Sequence, residues 1–129
     1  MNIVFDQRES SQLLVRGDKS RLFQVLSNLI CNAIKFSNLG GTILATAERN
    51  GKNTEAIVQI IDTGKGIDQD VLPRLFTKFV SKSDKGTGLG LYLSKAIIQA
   101  HGGTIWAENN KNGKGATFSF TLPLSIASP

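Results

Sequence analysis

On a helix turning roughly 100° per residue, Asn28, Asn32 and Lys35 fall within about 60° of one another, on the side away from Leu22, Leu26 and Ala33. An asparagine oxygen is a hard ligand that suits Mg²⁺, and a nearby lysine neutralises phosphate. The stripe could therefore hold a metal triphosphate. Taken alone, it also fits an ordinary solvated helix face.

A second group is Asp62-Thr63-Gly64-Lys65-Gly66-Ile67, which follows the apolar run 57–61 and so sets a carboxylate at a strand end. An ionised carboxylate accepts hydrogen bonds and donates none. In a buried pocket it would select a donor such as the exocyclic amino group of adenine and repel the carbonyl of guanine. Gly64 and Gly66 would let the backbone pass close to the base, although an ordinary Asp-x-Gly turn has the same composition.

The third group, Gly86-Thr87-Gly88-Leu89-Gly90-Leu91, leads a glycine-rich segment into a helix whose free N–H groups favour phosphate. A simple hinge is the alternative. No Gly-Lys-Ser/Thr follows, and the glycines lack Gly-x-Gly-x-x-Gly spacing, so neither a Walker A loop nor a dinucleotide fingerprint is present.

These groups need a scaffold, and 129 residues with 40% hydrophobic content suit one globular domain spanning 1–129. The net charge of +5 favours anionic partners. Its 15 basic residues are dispersed and not interleaved with stacking aromatics, which argues against nucleic acid. Cys31 is the only cysteine, so no intrachain disulfide forms, and its place in an apolar helical pattern predicts a packed small hydrophobe. No apolar run is long enough to span a bilayer and no signal-peptide stretch opens the chain, which leads us to expect a cytoplasmic domain, compatible with a membrane-anchored parent.

Residues 2–5 and 12–15 read as an opening hairpin across the polar 6–11. Asp18 is a candidate cap for a helix in which Leu22, Val25, Leu26, Leu29, Ile30, Ala33 and Phe36 keep helical spacing. Residues 42–49 and 55–62 read as an antiparallel pair, 69–76 as a short helix, and 80–90 as a mobile loop. A second helix over 91–100 closes at Gly102-Gly103, and 104–108 with 116–122 form a last hairpin around Asn112-Gly113. The expected fold is an α+β two-layer sandwich, a mixed, mainly antiparallel sheet packed on helices.

In order, the stretch Asn28 to Lys35, the Asp62 to Ile67 segment, Leu75-Phe76-Thr77-Lys78-Phe79 and the Gly86 to Leu91 loop resemble the N, G1, F and G2 boxes of histidine kinases. His101-Gly102-Gly103 and Gly115-Ala116-Thr117-Phe118 extend the resemblance to nearly the whole chain. It implies the Bergerat ATP-binding fold shared with gyrase, the ninety-kilodalton heat-shock chaperones and MutL, with ATP as substrate and Mg²⁺ as cofactor.

By that resemblance Asn32 is the Mg²⁺ ligand, Asn28 and Lys35 act beside the phosphates, and Asp62 reads adenine. Gly64, Gly66 and Ile67 line the base, Phe76 and Phe79 flank the lid, and Thr87, Gly88, Leu89 and Gly90 meet the phosphates. Thr117 matches a threonine that supports the adenine end, and Lys82 and Lys85 add lid charge.

The hydrolytic relatives usually carry a glutamate in the first helix, whereas residues 21–37 hold no Asp or Glu, which favours phosphoryl transfer over hydrolysis. The phosphoacceptor hairpin of a complete kinase is not expected within this chain. Its one histidine, His101, is expected to cap a helix, a partly charged imidazole meeting the exposed carbonyls there. The expected partners are ATP, the dimerisation and phosphoacceptor domain of a parent kinase and, through the parent, a response regulator, with the isolated domain monomeric. A noncatalytic ATP-binding regulatory module and an anti-sigma-factor-type kinase are the alternatives.

Overall fold

The 3.6-residue period of Val25, Leu29 and Ala33 builds α1 (Lys19–Phe36), and those three side chains are completely buried along its inner stripe. Each full burial of Val or Leu stabilises the fold by about 1.5–3 kcal/mol. Asp18 caps the helix as expected: its Oδ1 accepts from the Arg21 amide at 3.2 Å, and its carbonyl from Leu22 N at 2.9 Å. Cys31 departs from expectation and is exposed. Two residues beyond Leu29, it turns about 200° away from the buried stripe.

The computed structural model describes residues 2–7, 15–36, 41–52, 54–77, 90–111 and 113–125. Five strands form one sheet: β1 (Asn2–Gln7), β2 (Thr42–Arg49), β3 (Glu55–Asp62), β4 (Ile105–Asn109) and β5 (Ala116–Pro123), in the order β1-β2-β3-β5-β4. The β2–β3, β3–β5 and β4–β5 pairs are antiparallel, while β1 runs parallel to β2.

That parallel pair corrects the opening-hairpin expectation. β1 reaches its partner through α1, the long crossover that parallel strands require. Val15 instead makes an isolated antiparallel bridge to Leu124, and 12–14 lie outside the described residues.

Strand alternation sorts the sheet into two faces. Ile43, Ala45, Ile60, Phe118, Phe120 and Leu122 point to the helices and join the α1 stripe, Leu91 and Ile98 in the core. Thr46, Gln59, Thr117 and Ser119 occupy the other face, where Gln59 Nε2 donates to Ser119 Oγ at 3.2 Å. The α+β two-layer reading therefore holds.

The helix expected at 69–76 shortens to a single 3₁₀ turn, Leu72–Arg74, because Pro73 has no N–H with which to extend the ladder. Beside it, Phe76 packs edge-on against Phe118, ring centroids 6.4 Å apart.

The second helix, α2 (Gly90–Ala100), ends in a Schellman motif: Gly103 N donates to Ile98 O at 2.9 Å and Gly102 N to Gln99 O at 3.0 Å. His101 sits in that cap, its Nδ1 donating to Ile97 O at 2.8 Å while its Nε2 accepts from Asp18 N at 3.0 Å. With a carbonyl at Nδ1 and an amide N–H at Nε2, this pattern calls for the Nδ1–H tautomer, and the ring caps the helix end as expected. The ring joins the end of α2 to the start of α1. Of the loop expected at 80–90, all but Gly90 lies outside the described residues. Among those described, no helix is long and apolar enough to cross a membrane.

Candidate functional site

Asp62 closes β3 on the helix-covered face, opposite Ile43 in register, and is 1% exposed. Its Oδ1 accepts from the amides of Gly64 at 2.9 Å and Ala116 at 3.2 Å. Its Oδ2 is buried and, among the described residues, has no hydrogen-bond partner. An unpaired buried carboxylate oxygen costs about 1–3 kcal/mol or more. A donor from outside the chain could satisfy it.

The backbone around Asp62 is tightly shaped. Gly115 has φ 83°, and a side chain there would overlap the Asp62 carbonyl. Asn110 Nδ2 donates to that same carbonyl at 3.0 Å and to Lys114 O at 2.8 Å, and its Oδ1 accepts from Thr117 Oγ1 at 2.6 Å. Asn109 grips the other end of the loop: its Oδ1 accepts from Ile67 N at 2.8 Å and its Nδ2 donates to Ile67 O at 2.9 Å.

On α1, Asn28 Nδ2 donates to Gly90 O at 3.3 Å and to Ser94 Oγ at 3.2 Å, while Ser94 Oγ donates to Gly90 O at 2.9 Å. Asn28 thus joins the polar stripe to the first turn of α2, where unsatisfied N–H groups begin. Asn32 Nδ2 donates to Asn28 O at 2.9 Å, so the acceptor its side chain can offer a ligand is the amide oxygen. Lys35 is exposed in the last turn. An amide oxygen, an ammonium and a helix start can together bind a phosphate chain and its cation.

The structure brings Asn28 beside Gly90, and gathers Asp62, Gly64, Gly66 and Ile67 around the β3 end. Thr117 is not gathered with them. Alternation sends it to the face opposite Ala116 and Phe118, where it bonds Asn110, and the pocket side of that turn is supplied by the Ala116 amide. Phe79, Lys82, Lys85, Thr87, Gly88 and Leu89 lie outside the described residues.

Sequence reasoning missed Ser94, Asn109 and Asn110. Asn109 closes β4, and Asn110 leads into a glycine turn, a place where side-chain amides commonly bond loop backbone. That was the available signal.

The family described as histidine kinase-, DNA gyrase B- and HSP90-like ATPases matches residues 17–126. The sensor protein FixL of Bradyrhizobium diazoefficiens is 43% identical over 118 residues, covering 85% of this chain and 22% of FixL. The chain therefore spans about a fifth of that relative. The catalytic domain of histidine kinase ThkA, in a nucleotide-free form, superposes with a TM-score of 0.82 at 36% identity, over 95% of this chain and 79% of that one. Full-length ShkA in complex with AMPPNP gives 0.84 at 31% identity, over 99% of this chain and 26% of that one.

Proposed function

Because the chain belongs to the histidine kinase-, DNA gyrase B- and HSP90-like ATPase family, as a catalytic domain of the histidine kinase kind, we propose that it grips Mg²⁺-ATP and passes the γ-phosphoryl group to a histidine on a separate dimerisation domain. The buried, partnerless Oδ2 of Asp62 carries the reading. It is an acceptor, and the adenine amino group is a donor that suits it. That ShkA holds AMPPNP supports ATP as the nucleotide.

Gly64, Gly66 and Ile67 bring backbone against the base. Asn28 and Lys35 act on the phosphate side, and the start of α2 at Gly90 offers free N–H groups to phosphate oxygens. The oxygen of Asn32 fits a hard divalent cation, since its amide nitrogen is already committed to Asn28 O. Mg²⁺ would supply charge neutralisation between phosphate oxygens.

In the transfer the bond from the γ-phosphorus to its bridging oxygen breaks as a bond to the acceptor nitrogen forms, with ADP leaving. The domain contributes position and charge. With no Asp or Glu in 21–37, α1 offers no base to activate water, which supports transfer over hydrolysis. The acceptor domain and a response regulator would be partners through a longer parent, membrane-anchored or not, with this domain on the cytoplasmic side.

Incubating the chain with γ-labelled ATP, Mg²⁺ and a matching phosphoacceptor domain should place acid-labile label on that domain's histidine. Tight ATP binding with no label under these conditions would reassign the chain as a noncatalytic nucleotide module.

Asn32→Ala is expected to weaken ATP binding about tenfold in Mg²⁺, the scale of one charge-assisted contact, and by much less in EDTA. Equal losses in the two titrations would remove Asn32 from the metal.

A further inference from the structure

Asn109 ends β4 and Asn110 follows it, yet their side chains hold the two ends of a loop more than forty residues earlier in the chain. Asn109 bonds Ile67 in both directions, N–H and C=O, as a paired strand would. Gly66 lies against the same amide: a side chain on it would meet Asn109 Oδ1 at 2.9 Å, and its φ of 82° already excludes most residues. Asn110 holds Asp62 O, the other end of the loop, and its amide orientation is set by Thr117 and Lys114.

We infer that Asn109 is a positioning residue for base recognition, part of a two-asparagine clamp that holds residues 62–67 where the free Asp62 oxygen can read the base. The loop has no helix or strand ladder of its own between Asp62 and Asp68, so these side-chain bonds take the place of one. The inference rests on the adenine-reading role proposed for Asp62.

A clamp that positions the base reader should govern discrimination more than grip on the triphosphate. Inosine triphosphate tests this, because it carries a carbonyl where ATP carries the amino group. The chain itself is titrated with each nucleotide in Mg²⁺, and the ratio of the two Kd values is taken, since a loss of folded protein lowers both affinities equally and leaves the ratio unchanged.

The wild-type chain should prefer ATP by at least about tenfold, the scale of one charged hydrogen bond. Asn109→Ala should cut that preference by about fivefold or more, as two backbone bonds are lost. Should the alanine variant fail to fold, Asn109→Ser, which keeps an oxygen acceptor for Ile67 N, should show an intermediate preference. A ratio within twofold of wild type in the folded variant overturns the clamp. No ATP preference in the wild-type chain overturns instead the reading of Asp62 on which the clamp rests.

Discussion

Asp62→Asn is expected to weaken ATP binding by about 1.5–3 kcal/mol, roughly ten- to more than a hundredfold, while leaving the domain folded. The amide keeps an oxygen for the Gly64 and Ala116 amides, which hold Oδ1 now. Its nitrogen then stands where Oδ2 stood and presents hydrogens to the hydrogens of the adenine amino group. An acceptor would become a donor where the proposed partner is itself a donor. Calorimetric titration reads the affinity, and a thermal melt without nucleotide checks the fold. Binding within twofold of wild type in a folded variant would separate Asp62 from the base.

The second large effect is expected at Gly115. An alanine there must adopt φ near 83°, at a cost of about 1–3 kcal/mol, and its Cβ would also overlap the backbone of Asp62. Strand ends on both sides must shift, and the carboxylate shifts with them. Gly115→Ala should therefore lower the urea midpoint and nearly abolish nucleotide binding in whatever protein remains folded. Gly113 makes the control, having φ 79° and open space, with nothing within 4 Å, where a Cβ would stand. Gly113→Ala should show the backbone strain alone, with ATP affinity preserved. Matching losses of affinity in the two variants would mean that the turn, and not the approach to Asp62, is what binding requires.

How far the sequence could be read depended on where each residue's partner lay. Helical period placed Val25, Leu29 and Ala33 inward, and the same period placed Asn28 and Asn32 off that stripe, since each relation spans a single helix. The β2–β3 pair was legible because its turn is local. The parallel partner of β1 was not, since thirty-odd intervening residues leave no local mark of which strand it will join.

Thr117 shows the same limit at single-residue scale. A match to a motif fixes a position in sequence, but alternation decides the face, and one step along β5 separates Ala116 on the Asp62 side from Thr117 on the other. Asp62 was read correctly as a carboxylate at a strand end. That one of its oxygens is satisfied by the chain and the other left open could only come from three-dimensional packing.

His101 occupies both of its ring nitrogens within the fold, one as a donor to Ile97 O and the other as an acceptor from Asp18 N. Phosphorylation needs a nitrogen lone pair open to attack, and this ring presents none. The only imidazole in the chain is thereby kept apart from the phosphoryl transfer proposed for the domain. On the proposed transfer, a module of this kind would not mark itself, and the address of the phosphoryl group would be written in the protein it meets.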